Sequence, residues 1–437
     1  MPGKMLIITY YWPPAGGPGV QRWLKTAKEW KRMGHDVTVL TVDPAAATYP
    51  VQDESLLHES AGIPTITTPT TDWFAAYQRL TGRKEVPYSG FANQAGKPGP
   101  IQALSRFVRG NFFLPDPRKG WNRHALRAAK DLLNTGAYTE VITTGPPHST
   151  HLIGLQLQRE TGIAWTADFR DPWTDIYYYD RFYPTRWARA HDRKLERTVL
   201  EEARRVVVVS EDLKRTLLAK SDRIDASKFL VLPNGYDPED FTPGIKPSSE
   251  PHTPVLAYTG TLSLQYPVDA LVESFRLSLQ AGKSFVFRLA GKPADEAVEA
   301  LRALETEFPD TFRLELLGYL PHRESVHVLQ TADLLVLLIP DLPNNRGILT
   351  GKLFEYLGTG RPIWGFGPAT DGDAQRLIQE NQAGSLFDPD KPGRLSASVA
   401  LQKALETPGT GAANPSAYTR SALAMQLLNW MRTPPRT

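Results

Sequence analysis

Short apolar runs alternate with amphipathic stretches along most of this chain, and the alternation occurs twice. In the first half, the apolar runs Met5–Tyr10 and Val37–Val42 flank residues with helical spacing of the apolar positions. A strand–helix–strand unit of this kind forms a parallel strand pair with a right-handed crossover. The same order resumes from Val255, so the sequence predicts an α/β fold with two Rossmann-like, doubly wound domains facing across a cleft.

Composition shifts along the chain predict where these domains begin and end. We expect an N-terminal domain over residues 1–236, a linker over 237–254 and a second domain over 255–412, followed by a helical tail over 413–437. The linker is marked by closely spaced prolines with two serines between them. An insertion at about 70–121 is rich in glycine, proline and aromatic residues, so it is predicted to be irregular.

Composition and charge exclude several classes of function. The 50 basic and 47 acidic residues leave a net charge of +3, which does not indicate nucleic acid as a general partner. The chain has no cysteine, which excludes disulfides, thiolate metal sites and a cysteine nucleophile. The N-terminal apolar run is too short for a signal peptide, and no apolar run approaches membrane-spanning length, so we expect a cytoplasmic protein.

The stretch from Asn344 to Phe366 combines a polar, glycine-containing loop with a short helix that carries Lys352 and Glu355. A helix N-terminus suits a phosphate, because its backbone N–H groups are unpaired and the helix dipole is positive there. The dipole disfavours a lysine in the first turn, which a bound anion would compensate. Glu355 shares a helix face with Lys352 and could accept hydrogen bonds from a ribose diol. The alternative is an amphipathic helix with a surface Lys–Glu pair.

Polar side chains follow two neighbouring strands of the first domain. His148 and His151 follow one strand, and Asp168, Arg170 and Asp171 end or follow the next. Because parallel strands end at the same edge of a sheet, these side chains are predicted to share a cleft. The spacing of the two histidines is loose for a metal site, and we expect no metal.

A glycine-rich loop follows the first strand of the chain, at the edge where open α/β sheets bind ligands. It contains Gly16, Gly17 and Gly19 but does not match GxGxxG, the dinucleotide-binding pattern. The glycines are therefore either part of a ligand loop or required only by the geometry of the turn.

The insertion at about 70–121 carries far more basic than acidic residues. Its acidic residues are Asp72, Glu85 and Asp116. Its apolar and aromatic residues interleave with eight basic side chains: Arg79, Arg83, Lys84, Lys97, Arg106, Arg109, Arg118 and Lys119. Such a segment suits an anionic membrane surface or a phosphorylated lipid. The alternative is an insertion packed on its own domain with solvated arginines.

These features together resemble GT-B glycosyltransferases, specifically the family 4 group of retaining sugar transferases. The resemblance covers nearly the whole chain, through YYWPPAGGPGVQRW, GHDVTVLT, TADFRDPWTD, VVVVSEDLKRTLL, FLVLPNGYDPEDF, LAYTGTL, LLGYL and TGKLFEYLGTGRPI. It implies transfer of a sugar from a nucleotide sugar to an acceptor without a bound metal or other cofactor. It also implies that the N-terminal domain takes the acceptor, that the second domain takes the donor, and that the helix within 413–437 packs back on the first domain.

The resemblance assigns roles to residues that match the family's motifs. Glu355 corresponds to the glutamate that binds the donor ribose. Gly318 and Leu320 correspond to positions near the base of the donor, and Gly17 to a position near its phosphates. Thr350, Gly351 and Lys352 correspond to the stretch that closes over the diphosphate and the sugar.

The chain departs from the family pattern at three places. Gly347 stands where a glutamate is usual, and the usual Arg and Lys are missing from the loop GTLSLQYP. We therefore predict that Lys352 and Arg346 hold the diphosphate charge. A histidine–aspartate pair common in the first domain appears here as Arg170 and Asp171. The residues expected to bind the acceptor are Arg170 and Asp168.

The predicted activity is transfer of a sugar to an acceptor hydroxyl, with retention, in polysaccharide or glycolipid synthesis. Lys352 is expected to stabilise the leaving diphosphate, while Asp171 or His148 orients the acceptor. The expected partners are a nucleotide-diphosphate sugar, a saccharide or lipid-linked acceptor, and an anionic membrane at its inner face, but no nucleic acid. The alternatives are a nucleotide-sugar epimerase on the same fold and a catalytically inactive nucleotide-sugar-binding relative.

Overall fold

The computed structural model describes residues 3–71, 99–245, 252–406 and 415–433. These residues form two compact units. One contains the residues up to Pro233 together with those from Leu423 onward, and the other contains Asn234–Ala422. Each unit has one β-sheet with only parallel strand pairs, which confirms the predicted α/β class with two parallel-sheet domains.

The first unit contains a seven-stranded sheet in the order β3-β2-β1-β4-β5-β6-β7. Its strands are β1 (Lys4–Ile8), β2 (Val37–Val42), β3 (Thr65–Thr68), β4 (Tyr138–Gly145), β5 (Ala164–Phe169), β6 (Arg205–Val208) and β7 (Phe229–Val231). Its helices are α1 (Pro18–Arg32), α2 (Ser55–Ser60), α3 (Pro100–Phe112), α4 (Asn122–Leu133), α5 (Ser149–Thr161), α6 (Arg186–Glu202) and α7 (Glu211–Leu218). The strand order reverses between β1 and β4, so the ligand crevice of such a sheet is expected at their carboxyl ends.

The second unit contains a six-stranded sheet in the order β10-β9-β8-β11-β12-β13. Its strands are β8 (Val255–Thr259), β9 (Phe285–Ala290), β10 (Phe312–Gly318), β11 (Leu334–Leu338), β12 (Ile363–Phe366) and β13 (Gly384–Phe387). Its helices are α8 (Val268–Gln280), α9 (Asp295–Glu307), α10 (His322–Gln330), α11 (Gly351–Thr359), α12 (Asp373–Glu380) and α13 (Lys391–Glu406). Here the strand order reverses between β8 and β11, so a ligand is expected to bind at the loops that follow these two strands.

The last helix, α14 (Arg420–Arg432), contributes to the core of the first unit. Leu423, Leu427 and Leu428 belong to the same buried cluster as the residues of β1 and α1. The fully buried indole of Trp30 donates a hydrogen bond from Nε1 to the carbonyl of Ala424 at 2.9 Å. Burying this apolar face removes it from water, which is the main stabilising term for such a helix.

The prediction of an irregular segment at about 70–121 can be compared with the structure only in part. Its residues 72–98 lie outside the described residues, but Pro100–Phe112 forms the 13-residue helix α3, so the prediction is wrong there. Pro100 occupies the first turn of α3. A proline fits there because the N–H groups of the first turn have no acceptor within the helix, so the N–H that proline lacks is not needed. The glycine and proline content of the whole segment concealed a regular apolar spacing within it.

The described part of the predicted linker is packed rather than extended. The amide of Thr242 donates to Gln330 Oε1, and Gln330 Nε2 donates back to the carbonyl of Thr242, both at 3.0 Å. Phe241 packs against buried residues of the second unit. Residues 246–251, which carry the two serines of the prediction, lie outside the described residues. In the parts of the chain that are described, no helix combines the length and apolar character needed to cross a membrane.

Candidate functional site

Lys352 lies in the first turn of α11, beside the loop that follows β8. Its Nζ donates a hydrogen bond to the hydroxyl of Tyr258 at 2.7 Å and lies 4.1 Å from the centroid of the Tyr258 ring. The Tyr258 hydroxyl in turn donates to the carbonyl of Thr261 at 2.7 Å. A Cβ on Gly260 would lie 2.7 Å from Lys352 Cε, so this glycine makes room for the lysine side chain.

The surroundings of Lys352 change its ionisation. Burial lowers the pKa of the lysine to about 7, and the negative charge of Glu355 opposes that shift. Near neutral pH the ammonium is therefore only partly populated. A bound anion would favour the charged form and raise the pKa of Lys352, so this lysine is suited to gain its full charge when a phosphate arrives.

Glu355 lies one turn further along α11, and 26% of its side chain is exposed. Its Oε1 lies 3.9 Å from Nδ1 of His322, whose Nε2 is 3.2 Å from Asp240 Oδ2. Burial raises the pKa of the Glu355 carboxyl, while His322 acts in the opposite direction. The carboxylate is thus held by neighbours and still has an open side from which a polar ligand can reach it.

Three adjacent strands of this sheet end in glycines with positive φ. The angles are 103° at Gly260 after β8, 143° at Gly291 after β9 and 68° at Gly318 at the end of β10. The amide of Gly260 donates to the carbonyl of Ala290, and the amide of Gly291 donates to that of Gly318, both at 2.7 Å. A Cβ on Gly291 would lie 2.1 Å from the carbonyl oxygen of Gly260. These three residues form a surface without side chains, here called the glycine floor.

The loop after β11 carries three of the predicted donor-binding residues, Arg346, Thr350 and Gly351, whereas Leu320 follows β10. Thr350 is the N-cap of α11, yet its hydroxyl makes no capping bond, and the buried Oγ1 has no hydrogen-bond partner among the described residues. Space around the Cα of Gly351 is open. Arg346 Nη1 pairs with Asp371 Oδ2 at 2.8 Å on the surface, and Leu320 is partly buried against the core. Thr350 and Gly351 therefore lie beside Lys352, whereas Arg346 already has a carboxylate partner.

The first unit has its own cluster of polar residues near the carboxyl ends of β1 and β4. Gly17 is the N-cap of α1 with a φ of 102°. Arg170 donates from Nη2 to the carbonyl of Pro146 at 2.6 Å and from Nε to Thr144 Oγ1 at 3.3 Å. A Cβ on Gly19 would lie 1.6 Å from Arg170 Nη1. The guanidinium of Arg170 thus lies directly against the glycine loop.

Asp168 is fully buried, and its placement does not fit the predicted role in acceptor binding. Its Oδ1 accepts a hydrogen bond from Arg22 Nη2 at 2.9 Å, and its Oδ2 accepts from Trp23 Nε1 at 2.7 Å and Thr144 Oγ1 at 2.8 Å. Both oxygens are therefore used inside the unit, where they fasten β5 to α1. The sequence correctly predicted that Asp168 lies at the end of a strand. It could not show which hydrogen-bond donors from other parts of the chain contact its carboxylate.

The two histidines after β4 form an aromatic group with the residues after β5. His148 stacks on Trp173 with ring centroids 5.0 Å apart, and Nδ1 of His151 lies 2.9 Å from Thr143 Oγ1. Burial lowers the pKa of His148 well below its usual value and that of His151 to about 3, so both imidazoles are neutral. His148 Nδ1 is buried without a partner in the described part of the chain. Burial also raises the pKa of Asp171.

Helix α6 holds the loop that carries Asp171 and Trp173. Asp192 accepts a hydrogen bond from Trp173 Nε1 at 2.8 Å, and Glu196 accepts one from Thr174 Oγ1 at 2.5 Å. Both acids are essentially buried, and sequence reasoning missed them. Their four-residue spacing on a helix face that also carries Val199 could have indicated buried acids.

No group of three or more potential metal ligands occurs among the described residues.

Comparison with known proteins gives the family. Residues 16–235, just over half of the chain, match the model of the Glycosyl transferase 4-like domain. The chain belongs to this family. A comparison with curated protein sequences found no match.

Solved structures resemble this member of the glycosyl transferase 4-like family over nearly its whole length. A glycosyltransferase from Rickettsia africae is 13% identical with a TM-score of 0.55, and the match covers 98% of this chain and 99% of that one. Sucrose-phosphate synthase from Thermosynechococcus elongatus is 14% identical with a TM-score of 0.55 and 98% coverage of both chains. UDP-GlcNAc 2-epimerase from Methanocaldococcus jannaschii is 11% identical with a TM-score of 0.50, covering 98% and 99%. At these identities the likeness shows the fold, which is GT-B.

Proposed function

We propose that this protein transfers a sugar from a nucleoside-diphosphate sugar to an acceptor hydroxyl with retention of configuration. The observation that carries the proposal is Lys352 at the amino end of α11, between the Tyr258 ring and the glycine floor, with Glu355 one turn away. A cation with a pKa of about 7, open backbone amides and a partly exposed carboxylate together match a ribose-linked diphosphate.

The diphosphate and the ribose of the donor each have matching groups in the second unit. The diphosphate is bound by the amino end of α11 and by the ammonium of Lys352, because both offer positive charge to an anion. The ribose hydroxyls donate to Glu355, whose open side gives them access. His322 lies 3.9 Å from that carboxylate and helps to keep it ionised. The buried hydroxyl of Thr350 gains a partner when the phosphate binds.

The reaction depends on stabilising the leaving group. The bond between the anomeric carbon and the phosphate oxygen breaks, the acceptor oxygen bonds to that carbon, and the acceptor proton passes to the departing phosphate on the same face. Negative charge grows on the diphosphate as the bond breaks, so preorganised amides and Lys352 lower the barrier most. No metal or other cofactor takes part in this proposal, which follows the family resemblance.

Acceptor binding is assigned to the first unit. His148 is neutral and has a free ring nitrogen among the described residues, so it can accept a hydrogen bond from an acceptor hydroxyl. Asp171 lies on the neighbouring loop and can act in the same way, while Arg170 supplies positive charge beside the glycine loop. His148, Asp171 and Arg170 therefore contact the acceptor, whereas Asp168 serves the interior of the unit.

A thermal-shift screen tests the proposed function. We expect one of the UDP-, GDP- or ADP-sugars to stabilise the protein, by about 2.7 kcal/mol at a hundredfold excess over Kd, which is roughly 5–10 °C in Tm. The stabilising donor is then incubated with and without acceptors. Product formed without an acceptor would favour an epimerase. Tight binding without turnover would favour an inactive binding protein, which Gly347 at the usual glutamate position makes a specific alternative. If no nucleotide sugar changes the Tm, the transferase, the epimerase and the inactive nucleotide-sugar-binding protein are all contradicted.

A lipid-linked acceptor at an anionic membrane is part of the proposal. Helix α3 keeps three apolar side chains at the surface, Leu104, Phe107 and Phe112, and the neighbouring α6 exposes Trp187. The described arginines of this segment contact their own unit: Arg118 donates to the carbonyl of Thr48 at 2.8 Å, the guanidinium of Arg109 lies 4.2 Å from the centroid of the Phe182 ring, and Arg106 is buried. Arg79, Arg83, Lys84, Lys97 and Glu85 lie outside the described residues. The apolar residues, rather than the arginines, therefore support membrane contact.

Substitution of Phe112 and Trp187 by serine is expected to weaken membrane binding about tenfold or more. These side chains are 70% and 68% exposed, and burying one large apolar side chain in lipid contributes about 1.5–3 kcal/mol. Cosedimentation with vesicles that contain anionic lipid measures the effect. Leu395→Ser, at an exposed apolar position on α13, serves as the control. Unchanged binding of the double variant would overturn the membrane contact.

A further inference from the structure

The proposed donor carries more negative charge than Lys352 alone can balance. A nucleoside-diphosphate sugar has two ionised phosphates, and the basic residues usual after the first strand of this unit are absent from GTLSLQYP. Arg346 is paired with Asp371 at 2.8 Å. Lys352 itself has a pKa of about 7 before a ligand binds. A second cation near the glycine floor is therefore needed, and the structure contains one that sequence reasoning overlooked.

Lys292 follows Gly291, the central residue of the glycine floor, at the carboxyl end of β9. Its carbonyl accepts a hydrogen bond from the amide of Leu262 at 3.2 Å, and the amide of Ala294 donates to the carbonyl of Leu262 at 2.8 Å. These bonds join the loops after β8 and β9, so the backbone of Lys292 is fixed beside the floor. The side chain is exposed, and in the described parts of the chain no carboxylate lies within ion-pair distance of it.

Tyr319 follows Gly318 and gives the Lys292 side chain a contact. The ammonium lies 5.9 Å from the centroid of the Tyr319 ring, which is within the range of a cation–π interaction. Tyr319 is 77% exposed, so its ring can be reached from the solvent. Lys292 and Tyr319 thus follow two adjacent glycines of the floor, and their side chains contact each other.

We propose that Lys292 is a second cation for the diphosphate of the donor and that Tyr319 positions its side chain over the glycine floor. This inference rests on the proposed function. Lysine suits the task because its ammonium acts as a compact point charge on a flexible stem and can follow phosphate oxygens of different geometry. The floor itself lets a diphosphate approach the backbone closely, because none of its three residues carries a side chain. Lys352 lies beside Gly260, and Lys292 directly follows Gly291, so the chain supplies one lysine next to each of two neighbouring glycines of the floor.

Calorimetry with UDP, GDP and ADP, and with the corresponding nucleosides, tests the role of Lys292. We expect Lys292→Met to weaken binding of the preferred nucleoside diphosphate about five- to tenfold, and to reduce the salt dependence of that binding. Affinity for the nucleoside alone should not change. Lys292→Arg should keep most of the affinity, and Tyr319→Leu should lose two- to threefold. The matched control is Lys283→Met at the opposite end of β9, where the lysine pairs with Glu406 at 2.7 Å.

The outcomes separate this inference from the proposed function. If the wild-type protein binds no nucleoside diphosphate, the proposed function and the inference both fail. If it binds one and Lys292→Met binds equally well, only the inference is overturned. An equal loss for the nucleoside and the diphosphate would also overturn it, because a phosphate-binding cation cannot affect a ligand without phosphate. Retained Tm in Lys292→Met excludes a folding defect, since the exposed side chain is not part of a core.

Discussion

Replacing Lys352 with methionine is expected to slow sugar transfer by about two to three orders of magnitude. The ammonium would stabilise charge that develops on the leaving diphosphate, and removing one preorganised group of this kind typically costs about 10²–10³ in kcat. Methionine preserves most of the apolar stem that packs beside Gly260 and over the Tyr258 ring. Steady-state kinetics with the donor found in the thermal-shift screen measures the effect on kcat and KM separately.

The pH dependence provides a second readout for Lys352. Its pKa is about 7 in the free protein, so donor binding and kcat/KM of the wild type should fall as pH rises above 7 and the ammonium loses its proton. Binding at pH 8 should take up protons, because the bound diphosphate raises the pKa of the lysine. Both effects should be absent from Lys352→Met.

Tyr258→Phe is the matched control for this prediction. It removes the hydroxyl that accepts the hydrogen bond from Lys352 at 2.7 Å but leaves the lysine in place. We expect a few-fold loss of activity. The decline of kcat/KM at high pH should begin at a lower pH than in the wild type, because the hydroxyl stabilises the ammonium of Lys352. Transfer by Lys352→Met at a rate near that of the wild type would remove Lys352 from the mechanism.

The second large effect is expected on stability. Asp168→Ala should lower the free energy of unfolding of the first unit by about 3–5 kcal/mol, because it leaves the guanidinium of Arg22 buried without its counter-charge. Arg22 is 3% exposed, and Trp23 Nε1 and Thr144 Oγ1 would lose their acceptor as well. Urea denaturation followed by far-UV circular dichroism measures the loss.

Two further variants make the Asp168 prediction specific. Asp212→Ala removes an aspartate that pairs with Arg215 at 2.9 Å on the surface of α7, and it should cost no more than about 1 kcal/mol. Arg22→Met combined with Asp168→Ala should recover part of the lost stability, because no unpaired charge is then buried. A single Asp168→Ala variant as stable as the surface control would mean that the buried pair contributes little.

The fold class was predictable because its signal is local. Apolar periodicity identified β2 at its observed bounds, Val37–Val42, and the alternation with helices required parallel sheets in both halves. Composition alone was misleading for α3, where the glycine- and proline-rich surroundings outweighed a regular apolar spacing. Lys352 and Glu355 could also be singled out from the sequence, since a lysine in the first turn of a helix is locally unfavourable.

The sequence by itself determined the order of strands and helices, the family motifs and the loop that carries Lys352, because each depends on residues close together in the chain. Only the tertiary structure decided that Asp168 serves the interior and that Lys292 lies beside the glycine floor. Gly260, Gly291 and Gly318 each look like an ordinary turn after a strand. They become one surface because parallel pairing brings the ends of β8, β9 and β10 side by side, although about 30 residues separate each glycine from the next. Long-range pairing of this kind is not encoded in any local pattern.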